Sequence, residues 1–267
     1  MRDDPTRFVG SIPEHYDQGL GPVIFARPAD LVATRVASFE PSRVLETAAG
    51  TGIVTRRLRD LLPAAAEIVA TDLNPAMLDV SRRKFQPGEA VTFQATDAIA
   101  LPFADEEFDA LVCQFGVMFF PDKEKAYREA RRVLRAGGRY VFGVWDAIDH
   151  NPFARILAEA VSAAFDADPP QFVSVPFGYA AIDPIKASLL ASGFAGLRVD
   201  VVRAQGAIAD FDDFANGLVR GSPLIDQIKS RGVDPEKLTA TVAQTLRDEF
   251  PAGATPLQFM VYEAWRE

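Results

Sequence analysis

Through the first half of the chain, short apolar runs alternate with stretches in which apolar residues return every third or fourth position. The runs cover residues 43–46, 67–72, 90–95, 108–114 and 138–144. Most are apolar at successive positions, as expected of strands covered on both faces. Helical patterns lie between them. One spans 53–62. A second opens on Asn74-Pro75, a capping residue followed by proline at the first helical position, carries Met77, Leu78 and Val80, and ends near Gly88. A third spans 122–135, with Ala126, Ala130, Val133 and Leu134 at helical spacing, and Gly137-Gly138 stops it. Such alternation predicts an α/β fold built on a doubly wound, mostly parallel sheet.

The rhythm changes after Trp145. Residues 152–165 read as a helix with Phe153, Ile156, Leu157, Ala160 and Val161 on its apolar face. Residues 166–178, rich in proline and aromatics, read as irregular. Asp183-Pro184 opens a helix that ends at Ser192 before Gly193. Residues 197–203 and 257–265 read as sixth and seventh strands, with helices over 210–220 and 234–249 between them. A further helix is expected over 22–38. The predicted organisation is a helical lead-in over 1–40, a seven-stranded core over 41–146 and 183–267, and an inserted helical cap from 147–182 and 207–254.

The densest chemistry lies in Val44-Leu45-Glu46-Thr47-Ala48-Ala49-Gly50-Thr51-Gly52, with Asp72 twenty residues beyond Gly52. An apolar run ends in an acid, turns through small residues and opens a helix. Small residues let backbone approach a ligand closely. An acid ending the second strand is placed to accept hydrogen bonds from ribose hydroxyls. A dinucleotide site needs a small third residue in its glycine fingerprint, and Thr55 falls there. Glu46 would also repel a pyrophosphate, whereas it attracts an ammonium and a sulfonium. Charge complementarity therefore selects S-adenosyl-L-methionine over NAD. Further along, Asp97 and Ala98 follow the third strand, and Asp97 is placed to accept the adenine amino hydrogen. Gln114 and Phe115 end the fourth strand, under the sulfonium end of such a cofactor.

In this order and spacing, the four segments resemble class I S-adenosylmethionine-dependent methyltransferases, and most nearly the small-molecule branch that includes the ubiquinone and menaquinone C-methyltransferases. The resemblance covers residues 40–145, and Gly10-Ser11-Ile12-Pro13-Glu14-His15-Tyr16-Asp17 is similar to that group's lead-in. It implies a Rossmann-like core and methyl transfer to a small-molecule acceptor by in-line displacement. It further implies that Glu46, Ala48, Gly50 and Gly52 line the methionine end and that Asp72 holds the ribose. Leu73 and Met77 would pack the adenine, Asp97 and Ala98 would meet its edge, Gln114 would present its backbone carbonyl to the amino group, and Tyr16 would close over the cofactor. Ala48 stands where that group usually has glycine. Alanine is small enough for tighter contact without lost binding, unless the position requires a positive φ.

The transfer itself requires that donor and acceptor be held within about 3–3.5 Å. A base is needed only if the nucleophile must lose a proton, and no residue is assigned that role. His15, His150, Tyr16 and Tyr179 are weak candidates, since none has a partner pattern. No spacing of His, Cys, Asp or Glu points to a metal site. Phe119, Phe120, Phe165, Phe172, Phe177, Tyr179, Phe211 and Phe214 are divided between core packing and an apolar, aromatic acceptor pocket.

Composition narrows the partners. A net charge of −9 argues against tracking nucleic-acid phosphates. With 48% hydrophobic and 24% charged residues, the chain can bury a sizeable core. Its one cysteine, Cys113, lies in an apolar run and reads as a buried thiol. Met1-Arg2-Asp3-Asp4-Pro5 lacks the apolar stretch of a signal peptide, and no run reaches the about 18 apolar residues of a membrane span. A cytoplasmic protein is expected. The alternatives are an S-adenosylmethionine-binding protein without turnover and, below it, an NAD-dependent oxidoreductase.

Overall fold

The computed structural model describes residues 5–165 and 167–267. The readings made on residues 1–4 and on Asp166 lie outside the described residues. Seven strands form one sheet: β1 (Arg43–Glu46), β2 (Glu67–Asp72), β3 (Val91–Ala95), β4 (Phe108–Gln114), β5 (Leu134–Trp145), β6 (Gly196–Ala207) and β7 (Ala254–Trp265). Their order is β3-β2-β1-β4-β5-β7-β6. All neighbouring pairs are parallel except those made by β7, which runs antiparallel to both β5 and β6. In β1, β2 and β4 successive residues are buried, so helices cover both faces of the sheet centre. The order reverses at β1/β4, where Val44 pairs with Ile68 on one side and Ala110 on the other. A crevice opens at the carboxyl ends of strands that flank such a reversal.

The helices are α1 (Ile12–His15), α2 (Ala26–Ala37), α3 (Ile53–Leu61), α4 (Pro75–Arg82), α5 (Lys123–Val133), α6 (Pro152–Ala163), α7 (Ile182–Ala191), α8 (Phe211–Arg220), α9 (Leu224–Ser230) and α10 (Pro235–Glu249). Aspartates cap three of them. Asp122 accepts from the Lys125 amide, Asp210 from Asp212 and Asp213, and Asp234 from Glu236.

Several boundaries depart from the sequence reading. The lead-in helix begins at Ile12, not at Pro22, because Tyr16–Phe25 winds as a π-helix that contains Pro22 and joins α1 to α2. Tertiary contact imposes that winding. Gly19 lies against the backbone of α8, where an added Cβ would sit 2.6 Å from Gly217 Cα. α4 stops at Arg82, and Gly88 turns the chain into β3 at φ 94°. α5 ends at Val133, since Leu134 pairs with Phe108 in the sheet. Gly137, at φ 78°, therefore lies in an irregularity of β5 and does not stop a helix. Phe172–Phe177 forms a 3₁₀ helix within the stretch read as irregular, and α9 was not foreseen. α7 starts one residue before Asp183, which sits in its first turn.

Candidate functional site

β1 and β2 end side by side in two buried acids. Beyond Glu46 the chain turns through Ala48 at φ 52°, Gly50 at φ 55° and Gly52 at φ 79° before α3. The turn is tied to its neighbours: the Thr47 amide donates to the Val112 carbonyl and the Ala49 amide to the Thr71 carbonyl, each at 2.9 Å. The Asp72 carboxylate closes the arrangement. It accepts from the Gly50 amide at 2.9 Å and from the Asn74 amide at 2.8 Å. The Thr96 amide donates to the Asp72 carbonyl, so the exit of β3 is fixed to that of β2.

Glu46 is 1% exposed, and it accepts from Thr55 Oγ1 at 2.7 Å. Burial pushes its carboxyl up to about 8, with the nearby Asp72 charge adding to the rise and the Thr55 bond opposing it. Burial also raises Asp72, against the hydrogen bonds from Asn74 and Gly50. Neither acid forms an ion pair with a Lys or Arg among the described residues. Ionised, either acid meets no paired Lys or Arg among the described residues, so a cationic ligand would favour its charged form.

These strand ends form one wall of a cavity of about 520 Å³. Ten of the twelve residues singled out in the sequence line it: Tyr16, Ala48, Gly50, Asp72, Leu73 and Met77, with Asp97, Ala98, Gln114 and Phe115. Glu46 lines a smaller recess of about 30 Å³ that Tyr16, Ala48, Gly50 and Gln114 share with it. Gly52 lines neither. A Cβ at Gly52 would collide with Ser81 Oγ and lie 2.9 Å from Ser81 Cβ, so this glycine lets α3 and α4 meet and does not face the cavity. Ala48 does occupy a positive φ, which for alanine costs about 1–2 kcal/mol. The condition attached to the alanine is therefore met, and its backbone is strained.

Hydrogen bonds and ring contacts hold the remaining wall residues. Asn74 caps nothing, although it occupies the capping position of α4. Its Nδ2 donates to the Thr6 carbonyl at 2.9 Å and its Oδ1 accepts from the Phe8 amide at 3.2 Å, which fastens the start of the lead-in to the cavity rim. Asp97 accepts from the Ile99 amide at 3.0 Å. Gln114 Nε2 donates to the Phe25 carbonyl at 3.4 Å, while its Oε1 is buried without a partner. Phe115, at φ 53°, stacks on Trp145 with ring centroids 4.0 Å apart. Gly116 presses on the turn: a Cβ there would collide with that of Ala48 and lie 2.8 Å from Cys113 Sγ. Tyr16 stacks on Phe25 at 4.7 Å, and burial together with the Asp72 charge raises its phenol far above the ordinary value.

The rest of the lining is largely apolar. Phe119, Phe120, Phe172 and Phe177 belong to it, whereas Phe165, Tyr179, Phe211 and Phe214 do not. Leu20, Ile24, Phe25, Trp145, Phe153 and Leu157 also belong to it, and periodicity alone gave no signal separating them from ordinary core. Neither histidine reaches the cavity. His15 ends α1, its pKa lowered by burial and by Arg220, and His150 is exposed beyond β5. The Tyr179 hydroxyl pairs with that of Tyr127 at 3.0 Å, outside the cavity lining. Among the described residues, no three His, Cys, Asp or Glu side chains are grouped to hold a metal, and no helix is long and apolar enough to cross a membrane.

Comparison with known proteins agrees with this geometry. Residues 45–142 match a family described as "Methyltransferase domain". Demethylmenaquinone methyltransferase of Thermus thermophilus is 46% identical over 102 residues, 38% of this chain and 46% of that protein. The chain spans about half the length of the curated relatives it matches. Among solved structures, the YcgJ protein of Bacillus subtilis superposes with a TM-score of 0.58 at 20% identity, over 89% of this chain and 99% of that one. Phosphoethanolamine N-methyltransferase 2 of Haemonchus contortus, in complex with S-adenosyl-L-methionine, gives 0.62 at 15% identity over 98% and 58%. These two likenesses concern the fold.

Proposed function

We propose that this chain, whose residues 45–142 match a methyltransferase family, transfers a methyl group from S-adenosyl-L-methionine to a small, apolar or aromatic acceptor. The observation that carries this reading is the pair of buried acids, Glu46 lining the recess and Asp72 the cavity, which form no ion pair with a Lys or Arg among the described residues. A sulfonium and an ammonium favour the ionised form of these acids, and a pyrophosphate does not. The buried, unpartnered Gln114 Oε1 is a further acceptor beside the same recess.

In this reading, Glu46, Ala48, Gly50 and Gln114 hold the methionine end, Asp72 the ribose, and Leu73, Met77, Asp97 and Ala98 the adenine. Tyr16 and Phe115 close over the reacting centre. Gly52 supports the turn from behind. When bound, the cofactor supplies a methyl group on a positively charged sulfur. The protein positions the acceptor against it and excludes water with the apolar wall. The described parts of 147–182 and 207–254 act as the cap over the core, and residues 5–40 complete its roof. An acidic chain with one buried thiol fits a cytoplasmic enzyme.

Calorimetry on the purified protein tests the cofactor. S-adenosylmethionine and S-adenosylhomocysteine are expected to bind and NAD is not. Asp72→Ala should weaken binding by about 1–3 kcal/mol through loss of charged acceptors and of the Gly50 tether. Binding of NAD alone would overturn the reading. Release of S-adenosylhomocysteine on addition of an acceptor panel tests turnover, and its absence across the panel would favour a binding protein.

A further inference from the structure

The start of the lead-in is tied to one short stretch of chain, residues 74–84. Asn74 makes the first tie with both polar ends of its side chain. Its Nδ2 donates to the Thr6 carbonyl at 2.9 Å, and its Oδ1 accepts from the Phe8 amide at 3.2 Å. Further on, Arg83 pairs with Glu14 at 3.5 Å and Lys84 pairs with Asp17. The Arg83 pair is open to water, where such a contact contributes little, whereas the Asn74 bonds are half-buried. Asn74 is also joined to the acid assigned to the ribose. Its amide donates to Asp72 Oδ1 at 2.8 Å, and its Nδ2 lies 3.4 Å from the same oxygen. The other end of the segment rests on rings: Phe8 meets Tyr16 and Phe119 edge-on, with centroids 6.0 and 6.2 Å away. Pro5, Thr6 and Phe8 line the same cavity as Asp72, Met77 and Phe119. Residues 5–8 thus run between the end of β2 and the ring of Phe119, and Asn74 fastens them at the β2 end.

We propose that residues 5–8 are a strap on the cavity and that Asn74 is the positioning residue that latches it, so that the cofactor enters and leaves when this latch opens. This rests on the cofactor reading above. The bonds involved suit a latch. Each shifts an equilibrium by only about two- to tenfold, because water competes for the same carbonyl and amide. A segment held by so few bonds opens locally while the sheet stays folded. Opening also has a kinetic signature. If ligand exchanges through the open state, both rate constants scale with the population of that state, so a weaker latch speeds entry as well as exit. A residue that merely touches the ligand changes exit and leaves entry nearly alone. The same latch links the two halves of the site, since the segment that Asn74 holds carries the ring that packs on Phe119.

The test is the pair of rate constants for S-adenosylhomocysteine, measured by surface plasmon resonance on the full chain, with calorimetry as an independent measure of affinity. Asn74→Ala keeps the backbone bond to Asp72 and loses both bonds to the lead-in. Its association and dissociation rate constants are each expected to rise at least about fivefold, from the loss of two hydrogen bonds. Phe8→Ala loosens the other end of the strap by removing its ring contacts, and leaves β2 untouched. It should raise both rate constants in the same sense, and it carries the test should Asn74→Ala fail to fold. Faster dissociation with unchanged association would make Asn74 an ordinary contact and overturn the inference. Unchanged rate constants, or slower association, would overturn it too, and each of these results leaves the cofactor reading intact. Absence of S-adenosylhomocysteine binding to the unsubstituted protein would overturn the cofactor reading, and the inference with it.

Discussion

Glu46 shows most directly how one residue's surroundings set its chemistry. Its carboxyl is buried against Thr55, near Asp72, and keeps its proton up to about pH 8. A cationic ligand in the adjoining recess favours the ionised form, so binding should expel that proton. Affinity for S-adenosylmethionine is therefore expected to rise with pH, by up to about tenfold per unit, and to level off above about pH 8. Calorimetry in buffers of different ionisation enthalpy would report the released proton, and Glu46→Gln should abolish both the release and the pH dependence. The stability of the free protein has the opposite sign. The native carboxyl holds a proton that the unfolded one releases near 4.5, so Glu46 makes the fold less stable as pH rises from there to about 8. Denaturant midpoints of Glu46→Gln should show a shallower decline over that interval.

At the scale of elements, backbone contacts made possible by glycine decide the geometry. α3 and α4 meet at Gly52 and Ser81, and the π-helical segment crosses α8 at Gly19 and Gly217. Gly52→Ala combines a positive φ with a collision at Ser81. A loss of about 2–4 kcal/mol is expected in urea denaturation. Ser81 Oγ is buried and has no hydrogen-bond partner, so Ser81→Ala alone should change stability little. Gly52→Ala/Ser81→Ala should then recover more than the additive value, which a double-mutant cycle would read. A strictly additive result would place the cost in the backbone alone. The crossing of the π-helical segment with α8 matters because both elements reach the cavity, through Tyr16, Leu20 and Ile24 on one side and Leu218 and Ser222 on the other.

At the scale of the whole molecule, the cavity joins segments far apart in sequence. The strand ends supply its polar wall. The lead-in, α6, the 3₁₀ helix at Phe172–Phe177 and the end of α8 supply the apolar one. A ligand held between them should stabilise the chain as a unit. At 100 times its dissociation constant, S-adenosylmethionine is expected to add about 2.7 kcal/mol and raise the melting temperature, with no rise for NAD. Hydrogen exchange should slow at the same time in residues 6–25 and at the strand ends. Slowing confined to the strand ends would mean that the lead-in does not share the site.

What the sequence by itself determined was local: the strands, most helices, the glycine turn and the acids that end β1 and β2. Each depends on residues a few positions apart, through burial of successive apolar residues, capping, or the conformational needs of a tight turn. The parallel order of the sheet followed from alternation. Tertiary structure alone decided which of many aromatics face the cavity, because Phe172 and Phe214 have the same character and differ only in what packs against them. It also turned Asn74 from a helix cap into a clasp for Thr6 and Phe8, moved Gly52 from the ligand to a helix contact, and wound Tyr16–Phe25 as a π-helix. Both histidines were left off the wall by the same packing. In each case the deciding partner is remote in sequence, and the energy of that contact outweighs the local preference that the sequence makes visible.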